Sequence, residues 1–578
     1  MRIGYSVRLV ARAATAGNGA ARIIAGMPPN APCQPLPSGP TGRHDSARTP
    51  ADGALRALAV AALAWLALVL TGCATALPPL DRGAIASAAI PASRGTALGR
   101  MVADSTPQDA HSGFRLMPLG SFSFDTRLQL ARRAEVSLDL QYYHLENDNS
   151  GRTLLRALRD AAERGVRVRL LIDDLYTGGA DELFLAFAAH RNVQVRLFNP
   201  FLAARGSGQA ARFLASIGHW GRVNHRMHNK LFIADGAAAV IGGRNIADEY
   251  FLRNADDNFI DLDAFVVGQV VEPLAALFDR YWNLGPAYPV QAVARTALSA
   301  AEQRDYFDRL TGPRHTAPPP PLPNNDILGY GPVRDDLEFG RLGLIWGEAY
   351  AFADYPDKPF EGETDGELLE TSVTYNVFEA IRSARSEVLA SSPYFVPGPR
   401  GMALLKSLRD RDVKVSVLTN SLGATDEPVV HLGYSRYRVA MLGMGIELYE
   451  LSNSRVKRNA RMFHFGESLG RLHAKLVVID RRLSFIGSMN LDPRSASINT
   501  ELGTVIDSPQ LARELKRVID LDRLQSSYRV RMSADGGRLE WLGLDDDGEM
   551  VLTSEPDASA WLRLKTWLLS PLVPESLL

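Results

Sequence analysis

The chain of 578 residues has only two cysteines, Cys33 and Cys73, too few for a disulfide framework. It lacks an excess of either charge: 64 Lys and Arg stand against 65 Asp and Glu, so no overall basicity advertises nucleic acid. No Gly-rich phosphate loop occurs, and no His/Cys/carboxylate spacing suggests a zinc site. Neither a metal nor an organic cofactor is expected. Long apolar runs are scarce too. The unbroken run 57–70, ALAVAALAWLALVL, falls short of the roughly 20 residues a helix needs to cross a bilayer. What is present, 46% hydrophobic and 22% charged residues, is ordinary globular material. That excludes a disordered, collagen-like or multi-spanning chain.

The apolar run suits the central region of a secretory signal, with Arg43, Arg48 and Arg56 supplying positive charge before it. Leu70-Thr71-Gly72-Cys73 follows at once and resembles the bacterial lipobox. The resemblance implies that residues 1–72 are removed and that Cys73 is acylated. Two acyl chains anchor stably where one is marginal. The expected location is the bacterial cell envelope, facing the periplasm, with inner or outer membrane left open. The first 72 residues carry seven Arg against two Asp, so the remainder is acidic.

Residues 73–112 are rich in Ala, Pro, Ser and Gly and read as a flexible tether. Residues 311–330, which include the run APPPPLP, read as an extended linker, because consecutive prolines cannot sit in a core element. On either side of it the sequence repeats. Glu135-Val136 to Tyr142-Tyr143 matches Glu387-Val388 to Tyr394-Phe395 at an offset of 252. Leu154-Leu155 and Leu158 match Leu404-Leu405 and Leu408 at 250, and Val166 to Leu170 matches Val413 to Val417 at 247. Val195 to Phe198 matches Ile446 to Tyr449 at 251. A nearly constant offset through strand, helix, strand and strand indicates duplication. Period-2 strands alternating with period-3.6 helices give an α/β class, each lobe a mixed sheet flanked by helices. The lobes are expected over 113–310 and 331–525, with 526–578 packed on the body through Trp541, Trp561 and Trp567.

The strongest signal is a pair of clusters at a common offset of 245. The first is His228-x-Lys230, Asp235, Gly242-Gly243 and Asn245; the second is His473-x-Lys475, Asp480, Gly487-Ser488 and Asn490. On an extended segment each His and Lys share a face, while Leu231, Ile233, Leu476 and Val478 point the other way, into a core. Gly243 and Ser488 follow a strand end, where a small residue lets backbone approach a substrate. Asn245 and Asn490 can donate amide N–H.

Imidazole, ammonium and carboxamide, each supplied twice, suit a phosphodiester. Lys and Asn donors offset the charge that grows in the transition state. Histidine can be base or acid near neutrality. Two of them about one phosphorus give a nucleophile on one side and a proton donor for the leaving alkoxide on the other, with a phosphohistidine between two displacements. Each imidazole needs an orienting acid. Glu501 follows the second cluster and Asp261 the first, both at the head of an apolar strand. Asp256 keeps the 28-residue spacing from its histidine but has a poorer flanking pattern. Asp235 and Asp480 belong to the catalytic set by motif, although their place suits bracing a turn. His219 and His225 read as structural or exposed, and the pair Asp173-Asp174 as solvated. Arg455, Lys457, Arg458 and Arg461 are a surface loop that could face lipid headgroups.

The two clusters resemble the paired motifs of the phospholipase D superfamily, in which two lobes meet at a pseudo-twofold axis to form one site. Gln141-Tyr142-Tyr143, Leu171-Ile172-Asp173-Asp174, Ser392 to Pro397, Leu418 to Leu422, and Asn490 to Ser495 are similar to the bacterial C-type cardiolipin synthases. That resemblance implies two duplicated phospholipase D-like lobes and transfer of a phosphatidyl group between phospholipids, phosphatidylglycerol among them. It implies a membrane and no nucleic acid as partners. It also implies His228 as nucleophile and His473 as general acid, an order the residues alone leave open. Hydrolysis by a phospholipase D, a nuclease of the same superfamily, and an idle lipid-binding protein are the rival readings.

Overall fold

The computed structural model describes residues 78–109, 111–358, 372–458, 468–545 and 548–569. The signal segment, Cys33, Cys73, Arg461 and the side chain of Arg458 lie outside the described residues. In the first lobe the alternating segments become β1 (Ser112–Met117), β2 (Ser137–Tyr142), β3 (Arg167–Asp173), β4 (Val193–Phe198), β5 (Leu231–Ala234), β6 (Ala238–Gly242), β7 (Asp257–Ile260), β8 (Asp263–Gly268) and β9 (Ala287–Pro289). In the second they are β10 (Ile345–Ala353), β11 (Glu387–Ser391), β12 (Lys414–Asn420), β13 (Glu447–Leu451), β14 (Leu469–Leu472), β15 (Leu476–Ile479), β16 (Leu483–Gly487) and β17 (Leu502–Asp507). Then come β18 (Ser527–Met532), β19 (Leu539–Asp545) and β20 (Gly548–Leu552).

The duplication is exact in topology. The first sheet runs β4-β3-β2-β5-β6-β8-β1 and the second β13-β12-β11-β15-β16-β17-β10. In each the first three strands are parallel and the others antiparallel, a mixed sheet. The equivalent edge strands β1 and β10 pair antiparallel, Gly113 opposite Trp346, and join the halves about a pseudo-twofold axis.

Both faces of each sheet are covered. Leu138, Leu140, Val168 and Phe232 point outward beneath the helices Gly120–Arg133 and Asn149–Glu163. Leu231 and Ile233 point to a shared core that also holds Leu476 and Val478, as their parity requires. Helices Val271–Asn283 and Pro509–Gln525, one from each lobe, line that shared core. Each fully buried Leu or Ile there contributes about 1.5–3 kcal/mol, so the lobes are held together by the same layer that backs the catalytic strands.

Residues 78–109 differ from the flexible tether expected over 73–112. Ala97–Ser105 is a helix whose N-cap Thr96 accepts the N–H of Gly99, with Leu98 buried. Upstream, the N–H groups of Ser87 and Ala89 donate to Asn283 (3.0 Å) and Asp279 (2.7 Å). The helix packs Leu98, Met101 and Val102 against the core of the first lobe, and backbone hydrogen bonds hold the stretch before it. Residues 317–323 carry no helix or strand and run along the first lobe, where Arg253 donates to Ala317 O (2.6 Å) and Pro319 to Pro321 line a cavity with Phe124. At the other end β18 to β20 extend the second sheet beyond β13. Trp541 is buried and donates to Glu450 (2.8 Å), but Trp561 and Trp567 do not pack as expected. Among the described residues no helix is long and apolar enough to cross a membrane.

Candidate active site

The two clusters meet across the pseudo-twofold axis through backbone pairing. Strand β14 runs parallel to β7, with Leu472 opposite Ile260. Symmetrically, Met227 bridges Thr500 in parallel. The next residue on each strand is a histidine or an acid. His473 therefore falls beside Asp261, and His228 beside Glu501. The backbone N–H of His228 donates to Thr500 O (2.8 Å) and that of His473 to Ile260 O (2.7 Å). Nδ1 of His228 lies 2.9 Å from Glu501 Oε2, and Nδ1 of His473 lies 2.7 Å from Asp261 Oδ2. Each acid thus serves the histidine of the opposite lobe, not of the cluster it follows in sequence. Asp256 lies exposed at the entry to β7, outside the site.

Lys230 and Lys475 are buried and curl back, each donating to the carbonyl of its own histidine (2.6 and 2.5 Å). Burial lowers Lys475 to about 8, with Asp261 and Glu501 opposing, and Lys230 well below its ordinary value. Burial, then Lys475, lowers His473 to about 4; Asp261 pulls the other way. Burial, then Lys230 and Lys475, lowers His228 well below its ordinary value. Charges from both lobes reach both imidazoles, as one shared site requires. Both rings are neutral near pH 7, and an anionic phosphodiester entering beside them favours the charged form that a general acid needs. The acids differ. Asp261 is held at about 2: burial opposes its charge, but His473, Lys475 and Arg244 overcome it. Burial pushes Glu501 up to about 7 against Lys230 and the Ser488 hydroxyl.

The remaining motif residues hold this frame. Asp235, fully buried, accepts the N–H groups of Glu135, Val136 and Ser137 (3.1, 2.9 and 3.0 Å). Asp480 accepts those of Arg385, Ser386 and Glu387 (2.9, 2.7 and 3.0 Å). Both aspartates therefore brace the strand turn and do not face the reacting centre. Gly243 and Ser488 both touch the acids. A Cβ at Gly243 would lie 2.2 Å from Asp261 Oδ1, whereas the Ser488 hydroxyl donates to Glu501 (2.5 Å). Asn245 donates to Tyr250 Oη (2.9 Å), while Asn490 keeps a buried Oδ1 without a partner.

Several residues carry more than the sequence suggested. Asp173 is fully buried, not solvated, and accepts the Met227 N–H (2.8 Å). Asn420, its counterpart, accepts the Leu472 N–H (2.9 Å). These two fix the segments that lead into the histidines. Asp174 is buried as well, ion-paired with Arg205 and Arg212. Tyr143 sets its edge on His228 (5.0 Å between centroids, 75°), and Tyr250 does the same to His473 (5.2 Å, 79°). No motif marks Tyr250. His225 is a clamp between lobes, its ring nitrogens on Ile498 O (2.6 Å) and Pro356 O (2.9 Å), and His219 is exposed. Arg455 is buried under Leu544 O instead of lining a rim. A G-x-S-x-G string, 466–470, puts Ser468 at the head of β14 against Asn258 (2.9 Å), not on the strand-to-helix turn such a nucleophile needs.

A cavity of about 480 Å³ lies beside Met489 and Leu491, lined mainly by apolar side chains such as Phe378, Val388, Leu404 and Val417.

Two imidazoles oriented by acids, with two ammonium groups, define a site for phosphodiester chemistry through a histidine nucleophile. The family described as cardiolipin synthase, PLD-like domain, matches residues 128–282 and 377–523, one stretch in each lobe. The chain belongs to that family, within the phospholipase D superfamily. It is 38% identical over 466 residues to cardiolipin synthase C of Escherichia coli (strain K12), covering 79% of this chain and 94% of that one. Identity to a cardiolipin synthase of Staphylococcus aureus (strain Mu50 / ATCC 700699) is 24% over 437 residues, 75% of this chain and 72% of that one. The solved phosphatidylserine synthase of Haemophilus influenzae Rd KW20 has the same fold, with a TM-score of 0.50 at 13% identity, covering 74% of this chain and 91% of that one.

Proposed function

We propose that the protein is a phosphatidyltransferase of cardiolipin-synthase type. The neutral His228, its Nδ1–H turned to ionised Glu501, presents the lone pair of Nε2 to the phosphorus of a donor phospholipid. A P–N bond forms, the P–O bond to the headgroup alcohol breaks, and His473 gives that alkoxide its proton. The terminal hydroxyl of phosphatidylglycerol then attacks, losing its proton to His473, and the P–N bond breaks. Lys230 and Lys475 offset the growing charge on the non-bridging oxygens.

The observation that carries the reading is that each histidine is seated on an acid from the other lobe, which makes a single two-histidine centre. The identity to cardiolipin synthase C over most of both chains supports the lipid substrate, and the apolar cavity beside Met489 and Leu491 suits a molecule with acyl chains. Mass spectrometry of products made from labelled phospholipid, with and without phosphatidylglycerol, tests it. Cardiolipin that appears only with phosphatidylglycerol is the expected result. Phosphatidic acid as the sole product in both reactions would make the enzyme a hydrolase.

We further infer that Cys73 carries lipid and holds the enzyme in the bacterial envelope facing the periplasm, because Leu70-Thr71-Gly72-Cys73 follows the apolar run directly. The mass of the mature N-terminal peptide tests this: an acylated Cys73 is expected, and an unmodified one refutes it.

A further inference from the structure

The helix Ala560–Leu569, AWLRLKTWLL, is turned inside out. Its inward side carries Thr566, 4% exposed, whose hydroxyl donates to Leu562 O (2.8 Å). Its outward side carries Trp561 (69% exposed), Leu564 (46%), Trp567 (70%) and Leu568 (55%). Positions 561, 564 and 568 form one helical stripe, and Trp567 widens it. Single exposed apolar residues mean little, but a contiguous patch with two tryptophans is costly in water and marks an interaction surface.

We propose that this face docks the enzyme onto the surface of an anionic phospholipid bilayer. The inference rests on the proposed lipid substrate and goes beyond it by naming the surface that meets the membrane. Tryptophan, with an apolar body and one N–H, suits the headgroup boundary. The helix contains Arg563 and Lys565 and no acid, the charge that anionic headgroups attract. Its position fits as well. It packs on the helix Pro428–Ser435, which begins directly after Asp426 and Glu427. Asp426 accepts the Tyr394 hydroxyl (2.7 Å), and its charge acts on Lys475 and Tyr250 in the site. The patch therefore sits one helix away from an acid whose charge reaches the active site. The approach to it is fixed: Glu555 pairs with Arg438 (2.5 Å) and Asp557 accepts the Ser452 hydroxyl (2.7 Å). A docked helix would hold the active site near the headgroup layer, where donor and acceptor lipids arrive.

The test uses the full chain with vesicles of phosphatidylglycerol and phosphatidylcholine bearing brominated acyl chains, which quench nearby indoles. Wild type should be quenched, and Trp561→Phe/Trp567→Phe should lose most of that quenching. Unchanged quenching in the double variant would overturn the proposal. In Trp561→Ser/Trp567→Ser, turnover on vesicles should fall about tenfold or more, with turnover on the same lipid in detergent micelles kept. Equal losses in both would mean a folding defect and no docking role. Sedimentation without lipid should show the same oligomeric state in wild type and variants; a dimer dispersed by the substitutions would assign the face to a second copy of the chain instead. Quenching reads the helix independently of catalysis. Normal quenching with no transfer in any lipid form would reject the proposed reaction and leave the docking surface standing.

Discussion

Nδ1 of His473, in the second lobe, lies 2.7 Å from Oδ2 of Asp261, in the first. The mirror pair, His228 with Glu501, runs the other way across the same axis. Neither lobe alone can orient its own histidine. The acids are therefore positioning residues, and their loss should show in kcat more than in KM. Asp261→Asn and Glu501→Gln should each lower kcat by about 10² to 10⁴, while Asp256→Asn leaves it unchanged. Steady-state kinetics on phospholipid vesicles checks this; a defect in Asp256→Asn comparable to that in Asp261→Asn would restore the within-cluster pairing.

The pH profile should report Glu501. Ionised, it accepts the Nδ1–H of His228 and leaves Nε2 free to attack; protonated, it donates to Nδ1 and leaves the proton on Nε2. Burial holds this carboxyl at about 7, so activity should decline as pH falls through neutrality. The Ser488 hydroxyl favours the carboxylate. Ser488→Gly, the residue found at the matching Gly243, removes that donor, raises the Glu501 pKa and moves the acid limb of kcat to higher pH. A limb that stays in place or moves lower contradicts the assignment.

Asp235 and Asp480 should act on stability. Asp235→Ala strips the acceptor from three N–H groups at a fully buried turn and should cost about 3 kcal/mol. Asp480→Ala, at a more open turn, should cost about 1 kcal/mol. Denaturant unfolding measures both. Turnover per folded molecule should hold in each; a loss of kcat with stability unchanged would return these aspartates to the catalytic set.

Much of this was legible in the sequence. Offsets of 247 to 252 pointed to the duplicated sheets and that of 245 to the two half-sites, because strand parity and motif spacing are local. The crossing of the acids was not. It follows from parallel pairing of Leu472 with Ile260 and Met227 with Thr500, contacts between distant segments that no periodicity encodes. The offset shortens to 240 between Asp261 and Glu501, which is why the 28-residue spacing pointed to Asp256. Gly243 was legible as a close approach, but not that the approaching atom is the Asp261 carboxylate. The docked stretch over residues 78–109 was hidden by its composition, since its many Ala, Pro, Ser and Gly residues mask the short stripe Leu98, Met101 and Val102 that packs on the first lobe. Tyr250 lies outside any repeat and was invisible.

The most direct measurement is turnover of His228→Ala and His473→Ala, singly and together, against wild type. One centre built from both lobes predicts that each single variant loses at least about 10³ of kcat and that the double variant is scarcely worse than either. If each single variant kept about half of the wild-type rate and only the pair were dead, the lobes would be two independent sites and the account would fail.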